Sequence, residues 1–483
     1  MKNLLVLSIF SCFLLLTCTP SDVSQSANRL PNIIIIFTDD QGYQDLGCYG
    51  SPDIRTPHLD RMAAEGLRLT NFYVSQPVCS ASRASLLTGC YANRIGIHGA
   101  FMPKVGKGLH PDETTIAEML KPLGYATAIY GKWHLGNEKE FLPTRQGFDE
   151  YLGIPYSNDM WPLHPWQGTH FNFPALPLME NEEVIDTLTD QRHLTRLYTE
   201  RAVDFIHRNK EKPFFLYLPH SMPHVPLYAS EAFRGQSKGG LYGDVIEEID
   251  WSTGEVLKAL REAALDENSL VVFTSDNGPW LSYGAHAGVA LPLREGKGTT
   301  WEGGVRVPCI MRWPGRIAAG QLSDRPAMTI DLLPTIAHLT NAPLPERKID
   351  GRDMSHFFEP GNRDQAHHDY YCFYYNTNEL HSILSGDGRW KLQLPHTYRS
   401  LNGRSGREDG LPIEYDQNET GLALYDLVND VGEQTDVSKA HPEIVATMLG
   451  YAEQSRAELG DRLTQREGSE LRPVGQIAGQ VAD

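Results

Sequence analysis

The sequence predicts an α/β protein: a large, mostly parallel central sheet flanked by helices, followed by a small C-terminal antiparallel sheet of four strands with a helix. Three observations support this prediction. Short apolar runs rich in β-branched residues recur along the first three hundred positions, and such runs are typical of strands buried in a parallel sheet. Each run ends in a polar turn, and amphipathic segments separate the runs. The last hundred residues instead show short strands joined by turns.

The apolar runs are predicted to be strands at residues 32–37, 125–130, 213–218 and 269–274. The segments between them have the apolar spacing of helices, at residues 59–66, 115–123, 194–207 and 244–264. Strand, polar turn and helix in alternation indicate a sheet whose strands are mainly parallel.

The C-terminal region has a different pattern. Short strands are predicted at residues 368–375, 381–384, 390–394 and 422–427, with Gly386-Asp387-Gly388 as a turn and an amphipathic closing helix at 442–458. We therefore predict a main domain over residues 30–365, which holds the candidate catalytic residues, and a C-terminal subdomain over residues 366–465.

The charge of the chain limits its partners. Of its 483 residues, 43 are Lys or Arg and 61 are Asp or Glu, which gives a formal charge of −18. A general nucleic-acid-binding protein needs basic residues in excess to neutralise phosphates, so the acidity of this chain argues against that class. A small anionic substrate stays compatible, because a few local cations outweigh a distant negative surface.

The N-terminus is predicted to be a signal peptide over residues 1–18. Lys2 precedes an apolar run at 4–16 that is short for a membrane span. Leu15-Leu16-Thr17-Cys18 also resembles a bacterial lipoprotein cleavage box, in which Cys18 becomes lipidated. Two alternatives stay open: an exported periplasmic protein, or a lipoprotein anchored in the outer membrane only by this N-terminal lipid.

Five cysteines follow the signal segment: Cys48, Cys79, Cys90, Cys309 and Cys372. Their number is odd and they form no Cys-x-x-Cys pair, so neither a disulfide framework nor a zinc cluster is expected. One bridge stays open, and at least one thiol is left over.

Polar side chains follow each of the four predicted strands of the central sheet. They are Asp39 and Asp40, Lys132 and His134, His220 and His224, and Asp276 and Asn277. Ligands of open α/β sheets bind at the carboxyl ends of strands. One Asp after a strand is commonly a helix cap. Acidic, basic and histidine side chains after four separate strands instead favour a shared site. His220 is interpreted either as a substrate-facing or supporting residue or as a structural one.

The expected site combines a metal ion with fixed cations. Asp39, Asp40, Asp276 and Asn277 offer only oxygen ligands, which suit Ca²⁺, or alternatively Mg²⁺. Arg83, Lys132 and Lys297 supply positive charge, and His134 and His224 supply groups that exchange protons. Such a set is suited to a compact oxyanion. The alternative is a structural calcium site beside unrelated lysines.

Cys79 is the candidate nucleophile. It begins an apparent helix that stops at Gly89, and a helix N-terminus favours negative charge. This placement predicts a lowered pKa for the thiol and an anion pocket beside it. The alternative is a small buried apolar residue.

The motifs around these residues resemble those of type I sulfatases, a family with an alkaline-phosphatase-like fold. Cys79-Ser80-Ala81-Ser82-Arg83 with the following Ala84-Ser85-Leu86-Leu87-Thr88-Gly89 is similar to the signature in which cysteine becomes Cα-formylglycine. The family's other motifs are also present and occur in the same order along the chain: Asp39-Asp40, Gly131-Lys132-Trp133-His134, Asp276-Asn277-Gly278 and Gly296-Lys297-Gly298-Thr299. The resemblance is greatest to the branch of arylsulfatase A and N-acetylgalactosamine-6-sulfatase. Ala81 departs from the common proline, which bears on the maturation system that recognises the site.

The resemblance implies a hydrolase of sulfate esters that needs Ca²⁺ and a formylglycine-generating maturation enzyme. It implies that Arg83 holds the hydrated aldehyde at position 79 and that Lys132 and Lys297 neutralise the sulfuryl oxygens. His224, with Lys297, would protonate the departing alcohol, and His134 would take a proton from the second hydroxyl. Two other functions stay open: a phosphate or phosphonate monoester hydrolase, and a non-catalytic glycan-binding surface lipoprotein.

The expected substrate is a sulfated carbohydrate, with an aryl sulfate as the simpler alternative. Residues 156–174 are rich in aromatic, amide and histidine side chains, for example Trp161, His164 and Trp166. Such a loop is suited to stacking on sugar rings and to bonding hydroxyls. The alternative is a surface loop that packs its tryptophans inward.

Overall fold

The computed structural model of the protein describes residues 29–359 and 366–477. The chain divides into Met1–Leu30 and Pro31–Asp483, and every element named below belongs to the second unit. The predicted signal peptide, Cys18 and the predicted boundary at residue 365 lie outside the described residues and stay predictions.

The described residues form nineteen strands and eight α-helices. The strands are β1 Asn32–Thr38, β2 Leu67–Tyr73, β3 Lys107–Gly108, β4 Ala126–Lys132, β5 Glu150–Ile154, β6 Leu176–Glu180, β7 Glu183–Leu188, β8 Phe214–Pro219, β9 Ser269–Ser275, β10 Arg306–Arg312, β11 Gln321–Ser323, β12 Ala327–Met328, β13 Tyr370–Tyr375, β14 Glu379–Ser385, β15 Trp390–Gln393, β16 His396–Ser400, β17 Asp416–Thr420, β18 Ala423–Asp426 and β19 Gly475–Gln476. The helices are α1 Pro57–Ala64, α2 Cys79–Thr88, α3 Ile116–Leu120, α4 Leu194–Arg208, α5 Gly240–Glu262, α6 Glu302–Val305, α7 Leu332–Thr340 and α8 Pro442–Leu459.

The central sheet has eleven strands in the described chain, in the order β11-β2-β10-β9-β1-β8-β4-β5-β6-β7, with β12 also pairing with β2. The four strands predicted from apolar runs are β1, β4, β8 and β9. They are neighbours and run parallel, so this part of the fold prediction is confirmed. The sheet is completed by antiparallel pairs at both sides, β2 with β10 and β10 with β9, and the hairpin β6-β7.

The core on one face of the sheet explains why these runs form strands. Residues of β1 alternate between faces, so Ile34 and Ile36 point to the same side, where Leu216 of β8 and Phe273 of β9 join them. Helices α1, α4 and α5 pack together over this face. Both faces of β1 are buried, which is why its sequence is continuously apolar rather than alternating. Helices α2, α3 and α7 pack with one another.

The C-terminal region forms the predicted small antiparallel sheet, in the order β13-β14-β15-β18. Gly388, at φ +77°, and Ser385 close the β14-β15 turn through a hydrogen bond of 2.8 Å from the Gly388 amide to the Ser385 carbonyl. Helix α8 contacts β13, β14 and β15. The five cysteines after the signal segment all carry free thiols. No described helix is both long and apolar enough to cross a membrane.

Gly131 lets the site-bearing end of β4 approach β8 closely. Its φ is +140°, and a Cβ added there would overlap the carbonyl oxygen of Pro219. We expect Gly131→Ala to lower the free energy of unfolding by about 2–3 kcal/mol more than a control substitution, because overlap with backbone cannot relax easily. The control is Gly99→Ala, since Gly99 has a similar φ of +129° but nothing within 4 Å of the added atom. Urea unfolding of both variants measures the difference, and equal losses would contradict the steric argument.

Candidate active site

Parallel pairing of β1 with β9 brings three carboxylates together. Thr38 pairs with Ser275, so the residues that follow these strands meet at one edge. The amide of Asp276 donates to the Thr38 carbonyl at 3.1 Å, and the amide of Asp40 donates to Asp276 Oδ1 at 3.1 Å. Asn277 Nδ2 donates to Asp40 Oδ1 at 2.7 Å. Asp39, Asp40, Asp276 and Asn277 therefore lie side by side, and all are buried.

Arg83 is the central cation of this cluster. It lies on α2, and its Nε and Nη2 donate to Asp276 Oδ2 at 3.1 and 2.9 Å. Its Nη2 also lies 3.3 Å from Asp39 Oδ2, and its Nη1 donates to the carbonyl of Lys132 at 3.0 Å. Burial alone would raise the pKa of Asp39, but Lys132, His224, Arg83 and Lys297 outweigh it and hold that pKa well below its usual range.

Two lysines complete the positive set. Lys132 Nζ bonds Asp39 and donates to Ser157 Oγ at 3.1 Å. Lys297 Nζ donates to Asp40 at 2.8 Å and lies 4.4 Å from the ring centre of Trp280. Burial opposes the charge on Lys297, but Asp40 raises its pKa above the usual value. Burial likewise opposes the charge on Lys132, but Asp39 raises its pKa above the usual value, so both lysines are charged at neutral pH.

The C-terminal region holds the segment that presents Lys297. Arg399 Nε, on β16 of the separate two-stranded sheet β16-β17, donates to the Lys297 carbonyl at 2.9 Å. Lys391 Nζ, on β15, is paired at 2.7 Å with Glu302 of α6, just after the Lys297 segment. The amide of Glu302 in turn donates to Glu433 at 2.7 Å. Strand β15 of the small sheet and strand β16 of the two-stranded sheet thus both support the active site.

Cys79 is the first residue of α2 and lies between the acidic and basic groups. Its Sγ is 3.3 Å from Asp39 Oδ1 and 3.6 Å from Lys297 Nζ. The prediction of a lowered thiol pKa is wrong: burial and the nearby Asp39 charge raise the pKa of Cys79 well above its usual value. Desolvation and the negative charge of Asp39, which repels a thiolate, together outweigh the pKa-lowering effect of the helix N-terminus. The unmodified thiol is therefore protonated and a poor nucleophile.

Ala81, where the family pattern commonly has proline, uses its amide. The Ala81 N–H donates to the Gly99 carbonyl at 3.1 Å. Proline lacks this hydrogen, so the departure adds a bond between α2 and the 99–101 segment.

The two histidines have different free nitrogens. His134 Nε2 lies 2.9 Å from the Phe101 carbonyl, so it carries the proton, and its buried Nδ1 meets no donor or acceptor among the described residues. Burial and then Lys132 lower the pKa of His134 well below its usual value, which leaves Nδ1 as a neutral base. His224 Nδ1 bonds the Val225 carbonyl at 2.6 Å, and its Nε2 faces Asp40 at 3.5 Å.

His220 takes the structural alternative. It is buried, its Nε2 lies 3.3 Å from Ser252 Oγ on α5, and burial lowers its pKa to about 3. Its ring contacts Ser252 and Tyr198, neither of which belongs to the cluster of carboxylates and cations, so these contacts fit a packing role.

The donor set fits a hard divalent cation. Asn277 Oδ1 is buried with no hydrogen-bond partner in the described chain, and Asp39, Asp40 and Asp276 present carboxylate oxygens beside it. Burial and repulsion by Asp39 raise the pKa of Asp276 to about 7. Three carboxylates balance Arg83, Lys132 and Lys297, so a divalent ion would leave a net positive site for an anion.

Sequence reasoning missed several contributors. Ser157 and Asp159 follow β5, a strand too short to be recognised from its composition, although its carboxyl end lies at the same edge. Trp280 contacts the rings of His224 and Tyr283 at 5.5 and 4.9 Å; its position three residues after Asn277 was the available signal. The Phe101 carbonyl could not be found, because a backbone group leaves no sequence signal.

Comparisons with known proteins agree with this fold. The sulfatase family profile matches residues 31–342, and the profile described as N-sulphoglucosamine sulphohydrolase, C-terminal, matches residues 296–393. Human arylsulfatase A is 42% identical over 342 residues, which cover 68% of this chain and 67% of the relative. N-acetylgalactosamine-6-sulfatase of the dog, Canis lupus familiaris, is 37% identical over 442 residues, covering 86% and 83%.

Solved structures give the same result. The PsFucS1 sulfatase from Pseudoalteromonas sp. superposes with a TM-score of 0.79 at 27% identity, over 89% of this chain and 90% of the other. A protein marked 6S-sulf, from a Bacteroides thetaiotaomicron locus for the metabolism of multiple glycosaminoglycans, gives a TM-score of 0.73 at 28% identity, over 89% and 99%.

A mostly parallel sheet with buried cations and carboxylates at its edge defines a hydrolase of anionic esters. The chain belongs to the sulfatase family, and it is an enzyme that hydrolyses sulfate esters. The predictions of family, fold class and enzyme class are confirmed, and the alternative of a non-catalytic lipoprotein is not supported.

Proposed function

We propose that this sulfatase works through a Cα-formylglycine formed from Cys79 and a Ca²⁺ ion held by Asp39, Asp40, Asp276 and Asn277. The observation that supports this most is the position of Cys79, at the head of α2 and within 3.3–3.6 Å of Asp39 and Lys297. A thiol with a raised pKa is a poor nucleophile there, whereas an aldehyde at the same carbon is not subject to that limit. When present, the hydrated aldehyde supplies the attacking hydroxyl and Ca²⁺ supplies positive charge that favours its ionisation.

The chain's own residues bind the sulfate group and move protons. Lys132 and Lys297 neutralise the sulfuryl oxygens, and Arg83 orients position 79 while pairing with Asp276. His224, whose Nε2 faces the cluster, donates a proton to the departing alcohol together with Lys297. His134 accepts a proton at Nδ1, the nitrogen that its bond to Phe101 leaves free.

The mass of the tryptic peptide spanning residues 69–83, from protein made in its native host, tests the nucleophile. A mass matching formylglycine supports the proposal, since the maturation enzyme has then acted on Cys79. Unmodified cysteine in active protein would contradict it. Turnover of phosphate or phosphonate monoesters above that of sulfate esters would favour the phosphoesterase alternative instead.

Removing the metal is expected to lower kcat/KM for 4-nitrophenyl sulfate by on the order of 10²-fold or more, because charge stabilisation worth several kcal/mol is lost. The measurement is activity after chelation with EGTA and dialysis, followed by addition of Ca²⁺ or Mg²⁺. Ca²⁺ should restore activity, and restoration by Mg²⁺ alone would assign the site to that ion. Asn277→Ala should raise the Ca²⁺ concentration needed for half-restoration. Activity that is unaffected by chelation and dialysis would contradict the proposed metal.

We also propose a sulfated carbohydrate as the substrate class. Support comes from the name of the N-acetylgalactosamine-6-sulfatase relative and from the loop at residues 156–174. Its two tryptophans differ. Trp161 is buried and packs on Tyr228, as expected for inward packing, while Trp166 is 41% exposed, as a sugar-stacking residue would be. Turnover of aryl sulfates without any sugar sulfate would argue against this substrate class.

Export remains part of the proposal, as a periplasmic protein or an outer-membrane lipoprotein. Fractionation of the native host with labelled palmitate separates these two forms, and recovery of the full-length chain in the cytoplasm would contradict both.

A further inference from the structure

Asp159 lies beside the segment that carries His224. Its neighbour Asn158 donates from Nδ2 to the backbone carbonyls of His224 and Pro226, both at 3.3 Å. Val225 and Pro226, which follow His224 in the chain, line the same cavity as Asp159. Since His224 is the proposed proton donor to the departing alcohol, Asp159 lies on the leaving-group side of the site.

One oxygen of the Asp159 carboxylate is buried without a hydrogen-bond partner among the described residues. That oxygen is Oδ1, and the residue is 9% exposed. By contrast, Asp39, Asp40 and Asp276 each meet a Lys or Arg nitrogen within 3.3 Å. Burying an unpaired carboxylate oxygen opposes folding, so a ligand that donates a hydrogen bond to Oδ1 would offset that penalty.

The carboxylate faces a small cavity of ≈ 70 Å³, lined by Asp159, Trp161, His164, Val225, Pro226 and Tyr283 among others. The Tyr283 ring contacts Trp280, and Trp280 contacts His224, so aromatic rings connect this cavity to the catalytic groups. An apolar and aromatic wall with one carboxylate is suited to a sugar ring, whose C–H face packs on rings and whose hydroxyls donate.

We infer that Asp159 accepts hydrogen bonds from hydroxyl groups of the sugar ring that bears the sulfate, and that it selects a ring without a second anionic group. An ionised carboxylate only accepts hydrogen bonds, which matches hydroxyl donors. It repels a second sulfate or a uronate on the same ring. This inference rests on the proposed function and adds the leaving-group specificity to it.

The experiment compares Asp159→Ala and Asp159→Asn with the wild type on three kinds of substrate. The first is the best member of a panel of monosulfated monosaccharides, the second is 4-nitrophenyl sulfate, and the third is glucosamine 2-N,6-O-disulfate. Asp159→Ala should lower kcat/KM for the monosulfated sugar at least tenfold more than for the aryl sulfate, mainly through KM. Asp159→Asn should raise the rate on the disulfate relative to the monosulfate. Asp186→Asn, at an exposed position of β7, is the matched control.

The outcomes separate this inference from the proposed function. Equal losses on sugar and aryl substrates would overturn it, because Asp159 would then only position His224. A disulfate-to-monosulfate rate ratio that is the same for Asp159→Asn and the wild type would overturn it as well. So would a wild-type enzyme that hydrolyses aryl sulfate but no sugar of the panel. A wild-type enzyme that carries formylglycine and hydrolyses none of the sulfate esters would instead overturn the proposed function.

Discussion

Cys79→Ala is expected to lower kcat for sulfate ester hydrolysis by on the order of 10⁴-fold or more, since no other described side chain occupies the nucleophile's position. The fold should persist, because alanine removes only one buried sulfur atom from the head of α2 and leaves the Ala81 and Arg83 contacts in place. Initial rates on 4-nitrophenyl sulfate and a thermal unfolding curve measure the two effects.

Cys79→Ser sharpens the same prediction. A serine hydroxyl that took up the sulfuryl group would form a stable ester with no route for its expulsion. We therefore expect one equivalent of 4-nitrophenol per enzyme, followed by arrest, with the peptide mass showing that serine was not itself converted. Cys372→Ala, at a buried cysteine in β13 of the C-terminal sheet, is the control and should retain activity. Substantial multiple turnover by Cys79→Ala would place the nucleophile elsewhere.

Arg83→Ala is expected to lower the free energy of unfolding by about 3–5 kcal/mol in the absence of Ca²⁺, because removing one member of a buried ion pair leaves the other charge buried and uncompensated. Here two carboxylates lose their guanidinium, Asp276 at 2.9 Å and Asp39 at 3.3 Å, and all three side chains are fully buried. Arg83→Lys should lose less, since it keeps the charge but cannot reach both carboxylates through a planar fork.

Urea unfolding with and without Ca²⁺ measures this effect. Added Ca²⁺ should recover part of the loss, because the ion neutralises the freed carboxylates. Arg312→Ala is the control: Arg312 pairs with Asp266 and Glu65, which are partly exposed, so water can solvate them after the substitution and the loss should be smaller. A loss for Arg83→Ala no greater than for this control would contradict the central structural role of Arg83.

The sequence was sufficient for the parallel part of the sheet because its strands are buried on both faces. In β1, four consecutive isoleucines leave little alternative to a buried strand. Strands β5, β6 and β7 were not predicted, since β7 is largely exposed and β5 contains Gly153. Missing β5 also hid Ser157 and Asp159, which follow it at the carboxyl edge.

Seven of the ten predicted site residues converge because the order of the strands brings the strand ends together, which the sequence pattern can indicate without giving distances. The other three, Cys79 and Arg83 of α2 and Lys297, do not lie at the ends of these strands. The sequence pattern could not supply the direction in which the pKa of Cys79 is shifted. A helix N-terminus favours a thiolate, and only the arrangement of Asp39 3.3 Å from Cys79 Sγ, in a buried position, reverses that expectation. Pairwise charge and desolvation depend on side-chain packing, and local sequence does not encode them.

The burial of Cys79 has a consequence for biogenesis. The Cys79 side chain is 2% exposed and contacts Lys297. The segment that carries Lys297 is held in turn by Arg399 of β16. A maturation enzyme that converts Cys79, as proposed, would need access to a side chain that the folded protein buries. Under that proposal, conversion would precede the docking of α2 and of the C-terminal strands. The yield of active protein would then depend on the rate of maturation relative to the rate of folding.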